Sequence, residues 1–287
     1  MGLRNIELLE LCEAVSSGVS LGDTLTLGRQ WSLVAHHEKI RTLSFIPELL
    51  AKLDDVSSES SKWADHLFQI LGATSISSID ASSYEGATII HDMNFPAPKN
   101  LESSFDFVFD GGTTEHIFDV AQVFRNVMNF VRVGGHILSC VPANNLMGHG
   151  FYQFSPELFY RVYSPENGFE VKRLIVVDAD TGRRYEAMDP AKIGRRVELY
   201  GTAPRFSMIM LAKKIEAKPP FTNPPVQSDY ASHWAGRSLS QKTEYRSFMR
   251  RKAVQIGASF LPGVVSWIRY RRAQDLRFHP ELFRRID

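Results

Sequence analysis

The stretch Val141-Pro-Ala-Asn-Asn-Leu-Met-Gly-His-Gly-Phe-Tyr-Gln-Phe-Ser155 places Asn144, Asn145, His149, Tyr152 and Gln153 on one glycine-punctuated loop. Such a set can offer donors, acceptors and a titratable imidazole to a polar ligand, and binding residues concentrate on loops. The alternative is a loop bonded to itself that positions the helix after it. A second imidazole, His116, closes Asp110-Gly-Gly-Thr-Thr-Glu-His116. It could serve as a general base near neutral pH, or bond a neighbouring carbonyl. Asp80, Asp92 and Asp110 each stand at the end of a stretch that reads as a strand. A carboxylate can accept both hydrogens of a ribose diol, but an aspartate there can also be a turn residue. His36-His37 lacks ligand spacing, no HxxxH or HExxH occurs, and Cys12 and Cys140 have no CxxC partner. No metal site is expected from that spacing.

These groups act together only if the chain brings them to one edge. Ile6, Leu8, Leu9, Leu11 and Val15 recur at helical spacing, and Thr24-Leu-Thr-Leu-Gly28 reads as a strand entering a turn. Trp31 to Val56 reads as helical, Ser57 to Ser61 as a polar loop, and Lys62 to Leu71 as another helix. Strands are then expected at Ser75 to Ile79, Thr88 to Ile90, Phe105 to Phe109, His136 to Val141, Phe169 to Val177 and Phe206 to Ala212. A helix over Glu115 to Val131, capped by Thr113, and another opened by Ser155-Pro156-Glu157 fall between them. This alternation predicts an α/β fold with a doubly wound, mostly parallel sheet covered on both faces.

Composition is that of a globular chain: 287 residues, 44% hydrophobic and 23% charged. Two distant cysteines exclude a disulfide scaffold and fit a reducing, cytoplasmic setting. No secretory signal or membrane-spanning run is expected. The net charge of +1 conceals an imbalance: residues 218–287 carry 13 Lys/Arg against 5 Asp/Glu, and the remainder 20 against 27. The expected organisation is a body over 1–215, a proline-rich linker over 216–228 and a basic helical C-terminal extension over 229–287. Arg250-Arg-Lys252 and Arg269-Tyr-Arg-Arg272 flank an apolar stretch bearing Phe260, Leu261, Trp267 and Ile268. That pattern suits a docked helix, a homo-oligomer contact or a peripheral membrane contact. Nucleic acid is not expected, since the basic residues form no extended face.

Leu25-Thr-Leu-Gly28, Ser77-Ser-Ile-Asp80, His91-Asp92, Phe105-Asp-Phe-Val-Phe-Asp110, Thr114-Glu-His-Ile117 and Val133-Gly-Gly135 occur in an order and spacing that resembles the successive motifs of class I S-adenosylmethionine-dependent methyltransferases. The resemblance covers about Leu21 to Ile215. It implies S-adenosylmethionine as cofactor, with Gly28 under its methionine part, Asp80 on the ribose, and Ala81 and Ser82 beside the adenosine. It further implies Asp92 at the adenine amino group, Met93 on the ring, and Asp110 and Gly111 on the floor near the sulfonium. Thr26, Gln30 and Ser32 stand where that family has an acid and two further glycines, so Arg29 or Gln30 is left to meet the cofactor's carboxylate. The implied activity is methyl transfer to a small polar molecule such as a sugar or glycan precursor, with His149 or His116 as base. A catalytically inactive binding or scaffold module is the other expectation, motivated by the eroded glycine motif. A nicotinamide-dependent oxidoreductase is disfavoured because GxGxxG is absent.

Overall fold

A computed structural model of the chain describes residues 2–35, 62–198, 204–236 and 282–286, together with His37 and Thr42. In chain order the elements begin with β1 (Gly2–Leu3), α1 (Asn5–Ser16), β2 (Gly22–Leu27), β3 (Trp31–Ser32), α2 (Asp65–Ile70) and β4 (Ala73–Asp80). They continue with β5 (Ile89–Ile90), β6 (Phe105–Asp110), α3 (Val120–Phe130), β7 (Val131–Asn144) and α4 (Pro156–Val162). The chain then forms β8 (Phe169–Asp178), β9 (Arg184–Ala187), α5 (Pro190–Ile193), β10 (Phe206–Lys214), α6 (Ser228–Trp234) and β11 (Phe283–Arg285).

Among the described residues, nine strands form one sheet in the order β11-β9-β8-β10-β7-β6-β2-β4-β5. Pairing is parallel from β5 through β4, β2 and β6 to β7, and antiparallel from β7 through β10, β8 and β9 to β11. The sheet is therefore mixed, although only β9 and β10 run against the rest. Apolar alternation encodes which face a side chain takes and not which way a strand runs, so the reversal at β10 had no signature in the sequence. With β10 and the β9/β11 edge set aside, the remaining strands follow the doubly wound order in which two halves diverge from a central pair. Here that pair is β2 and β6.

Alternate residues on each strand feed two cores. Leu25, Leu27, Val108, Ile137, Val176 and Met208 lie with Val123, Phe124 and Val127 of α3 and Phe159 of α4. Phe107, Phe109, Leu138, Cys140, Ile175 and Ile209 lie with Leu8, Leu11 and Cys12 of α1 and Leu67 and Phe68 of α2. The two cysteines are thus free and buried in the same layer. Burial pushes the Cys12 thiol up to about 12, and Cys140 rises for the same reason.

Three expectations change. Trp31–Ser32 opens no helix; it pairs in parallel with β1, and Trp31 packs on Trp63 at 4.9 Å. The rest of that expected helix, apart from residues 33–35, His37 and Thr42, lies outside the described residues, as does the polar loop over 57–61. The helix expected from Glu115 is divided into a 3-10 turn at Thr114–His116 and then α3, because Asp119 and not Thr113 is the N-cap, accepting from Gln122 N at 3.0 Å. Within the segment expected as a linker over 216–228, residues 222–227 are exposed, while Asn223 N donates to Asn167 Oδ1 at 2.9 Å and half-buried Phe221 packs against the α3 core. The C-terminal segment begins with α6 and ends not as helix but as β11, an edge strand on β9 with Phe283 buried. The basic apolar stretch between them lies outside the described residues. Among the described residues no helix is long and apolar enough to cross a membrane.

Candidate functional site

Strand register sets the crevice. Leu27 stands opposite Ile79 on one side and Asp110 on the other, Asp80 stands opposite Ile90, and Asp110 opposite Ser139. The residues after β2, β4, β6 and β7 therefore emerge side by side at the carboxyl edge, where ligands bind in doubly wound sheets. Gly28 takes φ +66° and donates its N–H to Ile79 O at 2.8 Å, a conformation that favours glycine.

Each residue singled out above has a definite place. Arg29 is occupied, bonded to Asp65 at 2.8 Å and stacked over Trp63 at 4.5 Å. Gln30 is buried, its Nε2 donating to Leu27 O at 2.8 Å while its Oε1 has no hydrogen-bond partner. Its carboxamide lies against Gly111, where a Cβ would collide with it. Asp80 Oδ1 accepts from Ser82 N at 3.3 Å, and Ala81 and Ser82 are exposed beside it. Asp92 Oδ1 accepts from the N–H and side-chain amide of Asn94, which holds its carboxyl below the usual range. Met93 is buried in the α3 core and presents almost no surface to a ligand. Asp110 is also committed, accepting from Thr113 N (2.9 Å), Thr114 N (3.4 Å), Thr114 Oγ1 (2.6 Å) and Ser139 Oγ (2.8 Å). It shapes the turn that carries Gly111 and Gly112.

The polar loop after β7 is largely bonded to the protein. Asn145, at φ +57°, donates to Pro204 O at 2.9 Å, Gln153 Oε1 accepts from Leu146 N at 2.8 Å, and the Tyr152 hydroxyl donates to Phe118 O at 2.7 Å. Asn144 ends β7 opposite Phe206. These bonds fold the loop onto the 3-10 turn, where Phe151 N donates to Glu115 O at 2.7 Å. Gly150, at φ +73°, permits the approach, since a Cβ there would lie 2.7 Å from that same carbonyl oxygen.

The closure assembles a cluster no linear spacing announced. Glu115 Oε1 lies 3.3 Å from His149 Nε2 and 4.0 Å from His116 Nε2, and the two rings are 5.0 Å apart. The Glu115 side chain is 1% exposed, whereas those of His116 and His149 are 43% and 57% exposed. Burial, and then the negative charge of Asp110, push the Glu115 carboxyl up to about 8. Burial, followed by the neighbouring His149, lowers His116 and favours its neutral form. Exposed Phe118, Met147 and Phe151 lie nearby in the same two segments, with Phe118 and Phe151 edge to face at 6.3 Å. Glu115 was expected to open a helix, and the 3-10 turn found there instead is what gives it this position.

No family model matches the chain, and no curated protein matches it. Among solved structures, it is similar to the Burkholderia thailandensis 1,6-didemethyltoxoflavin-N1-methyltransferase bound to 1,6-didemethyltoxoflavin and S-adenosylhomocysteine. The identity is 11%, covering 74% of this chain and 79% of that one at a TM-score of 0.41. A geranyl diphosphate methyltransferase in complex with SAM is 9% identical over 72% of this chain and 85% of that one, with a TM-score of 0.40. The [4+2]-cyclase SpnF is 12% identical over 74% and 81%, also with a TM-score of 0.40.

Proposed function

We propose that the chain binds S-adenosylmethionine over the carboxyl ends of β2, β4 and β6 and methylates a small polar acceptor held beside the loop after β7. The observation that carries this reading is the row of Gly28, Asp80 and Asp110-Gly-Gly112 at the point where strand order diverges. The residues fit such a ligand. Asp80 has lone pairs beyond the one that Ser82 uses, enough for a ribose diol. The orphaned Gln30 Oε1 is an acceptor in want of a donor, which an amino group would supply.

When bound, S-adenosylmethionine supplies a methyl group open to in-line displacement. The chain's own part is to position the acceptor and receive its proton. A neutral imidazole of the His116/His149 pair can take a hydroxyl proton. An acceptor with hydroxyls and an apolar face, as a sugar ring has, suits a rim that combines these imidazoles with Phe118 and Phe151.

A second reading, a catalytically silent binding module, is favoured by two observations: the Gln30 carboxamide fills the space beside Gly111, and Arg29 is spent on Asp65. Calorimetric titration with S-adenosylmethionine and S-adenosylhomocysteine separates the two. Binding is expected, and Asp80→Ala should weaken it roughly 10- to 100-fold, the worth of hydrogen bonds to a charged group. Absence of heat at millimolar ligand would establish the silent module. Unchanged affinity in Asp80→Ala would remove Asp80 from the site.

A further inference from the structure

We propose that Glu115, His116 and His149 form a site for a divalent transition-metal ion of the zinc, manganese, iron(II) or cobalt(II) class. One carboxylate oxygen and two imidazole nitrogens, each on a separate side chain, all lie within 4.8 Å of one another. Ligand atoms about 2.0–2.2 Å from a shared ion must themselves lie within roughly 3–4 Å of one another. The 3.3 Å and 4.0 Å separations from Glu115 Oε1 already satisfy this, so small imidazole rotations complete the set.

The buried carboxyl supplies an independent argument. Glu115 Oε2 is enclosed and has no hydrogen-bond partner. An enclosed carboxylate is costly without a partner, and a cation is the partner that would stabilise it. Access is open on the other side, because both imidazoles reach solvent. The donor set narrows the ion. Two imidazoles and a carboxylate suit zinc and its first-row neighbours, whereas magnesium and calcium favour oxygen shells. Three protein ligands leave positions open, as in sites that bind a reactant and unlike closed structural sites.

Two packed segments fix the ligands. Glu115 and His116 sit on the turn after β6, His149 on the loop after β7, and the two are joined by the Phe151 N–H to Glu115 O bond. The metal site does not depend on methyl transfer. Where that reading also holds, the imidazoles become ligands, and an acceptor hydroxyl on the open side is acidified by the ion instead of deprotonated by a histidine.

The test uses the full chain without a histidine tag, stripped with chelator and titrated with cobalt(II) chloride while visible absorption is recorded. A saturable d–d spectrum at a single equivalent, displaced by zinc, is the expected result. Glu115→Gln and His149→Ala should each weaken binding by at least roughly 100-fold, since losing a mere supporting group can cost that much. His149 is exposed, so its variant keeps the fold, which far-ultraviolet circular dichroism verifies. No saturable spectrum, or one unchanged in both variants, as binding at His36-His37 would give, overturns the proposal. Neither outcome involves S-adenosylmethionine, so failure here leaves the cofactor reading standing, and the reverse.

Discussion

His136 shows how far a side chain's neighbourhood can be from its letter. In sequence it is one histidine within an expected strand. In the sheet it lies on β7 beside Lys213, and burial, followed by the charges of Lys213 and Lys172, pushes its imidazole down to about 4. An unfolded histidine titrates near 6.5. Between those values the unfolded chain takes up a proton that the folded chain refuses, so stability falls as pH drops from about 6.5 to 4 and is level above it. His136→Gln should therefore have a shallower acid slope than the parent in urea melts at pH 7 and pH 4.5. Equal slopes would mean that the ring is freely solvated. The candidate site was legible on the same terms. Asp80 and the Gly28 turn stand where a strand-end reading places them, while Asp110 and Gln153 have their hydrogen bonds taken by neighbours that only folding supplies.

At the level of the element, α3 is the instructive case. Its apolar side, Val123, Phe124 and Val127, was readable from spacing, but its start was not. Thr113 and Asp119 are both good caps by residue type. Thr113 Oγ1 instead donates to Leu27 O at 2.6 Å, joining the turn to β2, and leaves the cap to Asp119. Asp119→Ala should cost about 1 kcal/mol of unfolding free energy by urea denaturation, the usual worth of a cap. A loss indistinguishable from zero would place the helix start elsewhere. The far end is held from another strand: buried Lys214 Nζ donates to Met128 O and Val131 O at 2.8 Å each. Nothing local in the sequence of α3 announces that partner, because 83 residues separate Lys214 from Val131.

Across the whole molecule, the parallel half of the sheet and the strands β8 and β10 could be read from the sequence, whereas the antiparallel pairing and the strands β9 and β11 could not. β9 and β11 are short, and β11 completes the sheet from a distant part of the chain. The link between the halves is partly electrostatic. Arg184 on β9 bonds Glu10 at 2.8 Å and Glu13 at 2.6 Å, tying α1 to the far strands, and Arg173 on β8 also reaches both acids. Arg184→Met should leave buried Glu10 without its shorter cationic contact. A destabilisation of about 3 kcal/mol is expected, in the range for breaking a buried pair from one side, readable as a lower urea midpoint. No change would show that Arg173 suffices.

The placement of Cys12 and Cys140 has a kinetic consequence. Each thiol is sealed in the layer between α1 and the sheet, and neither ionises readily there. Alkylating reagent can reach them only when that layer opens, so the labelling rate becomes a clock for opening. Cys12 sits on the helix and Cys140 on a central strand. If helix and sheet part as one cooperative event, the two cysteines will be trapped at the same pace. Lifting of α1 as a whole gives the same result, since the helix covers both, so only trapping of Cys12 ahead of Cys140 would show α1 opening locally while the rest of the layer stays closed.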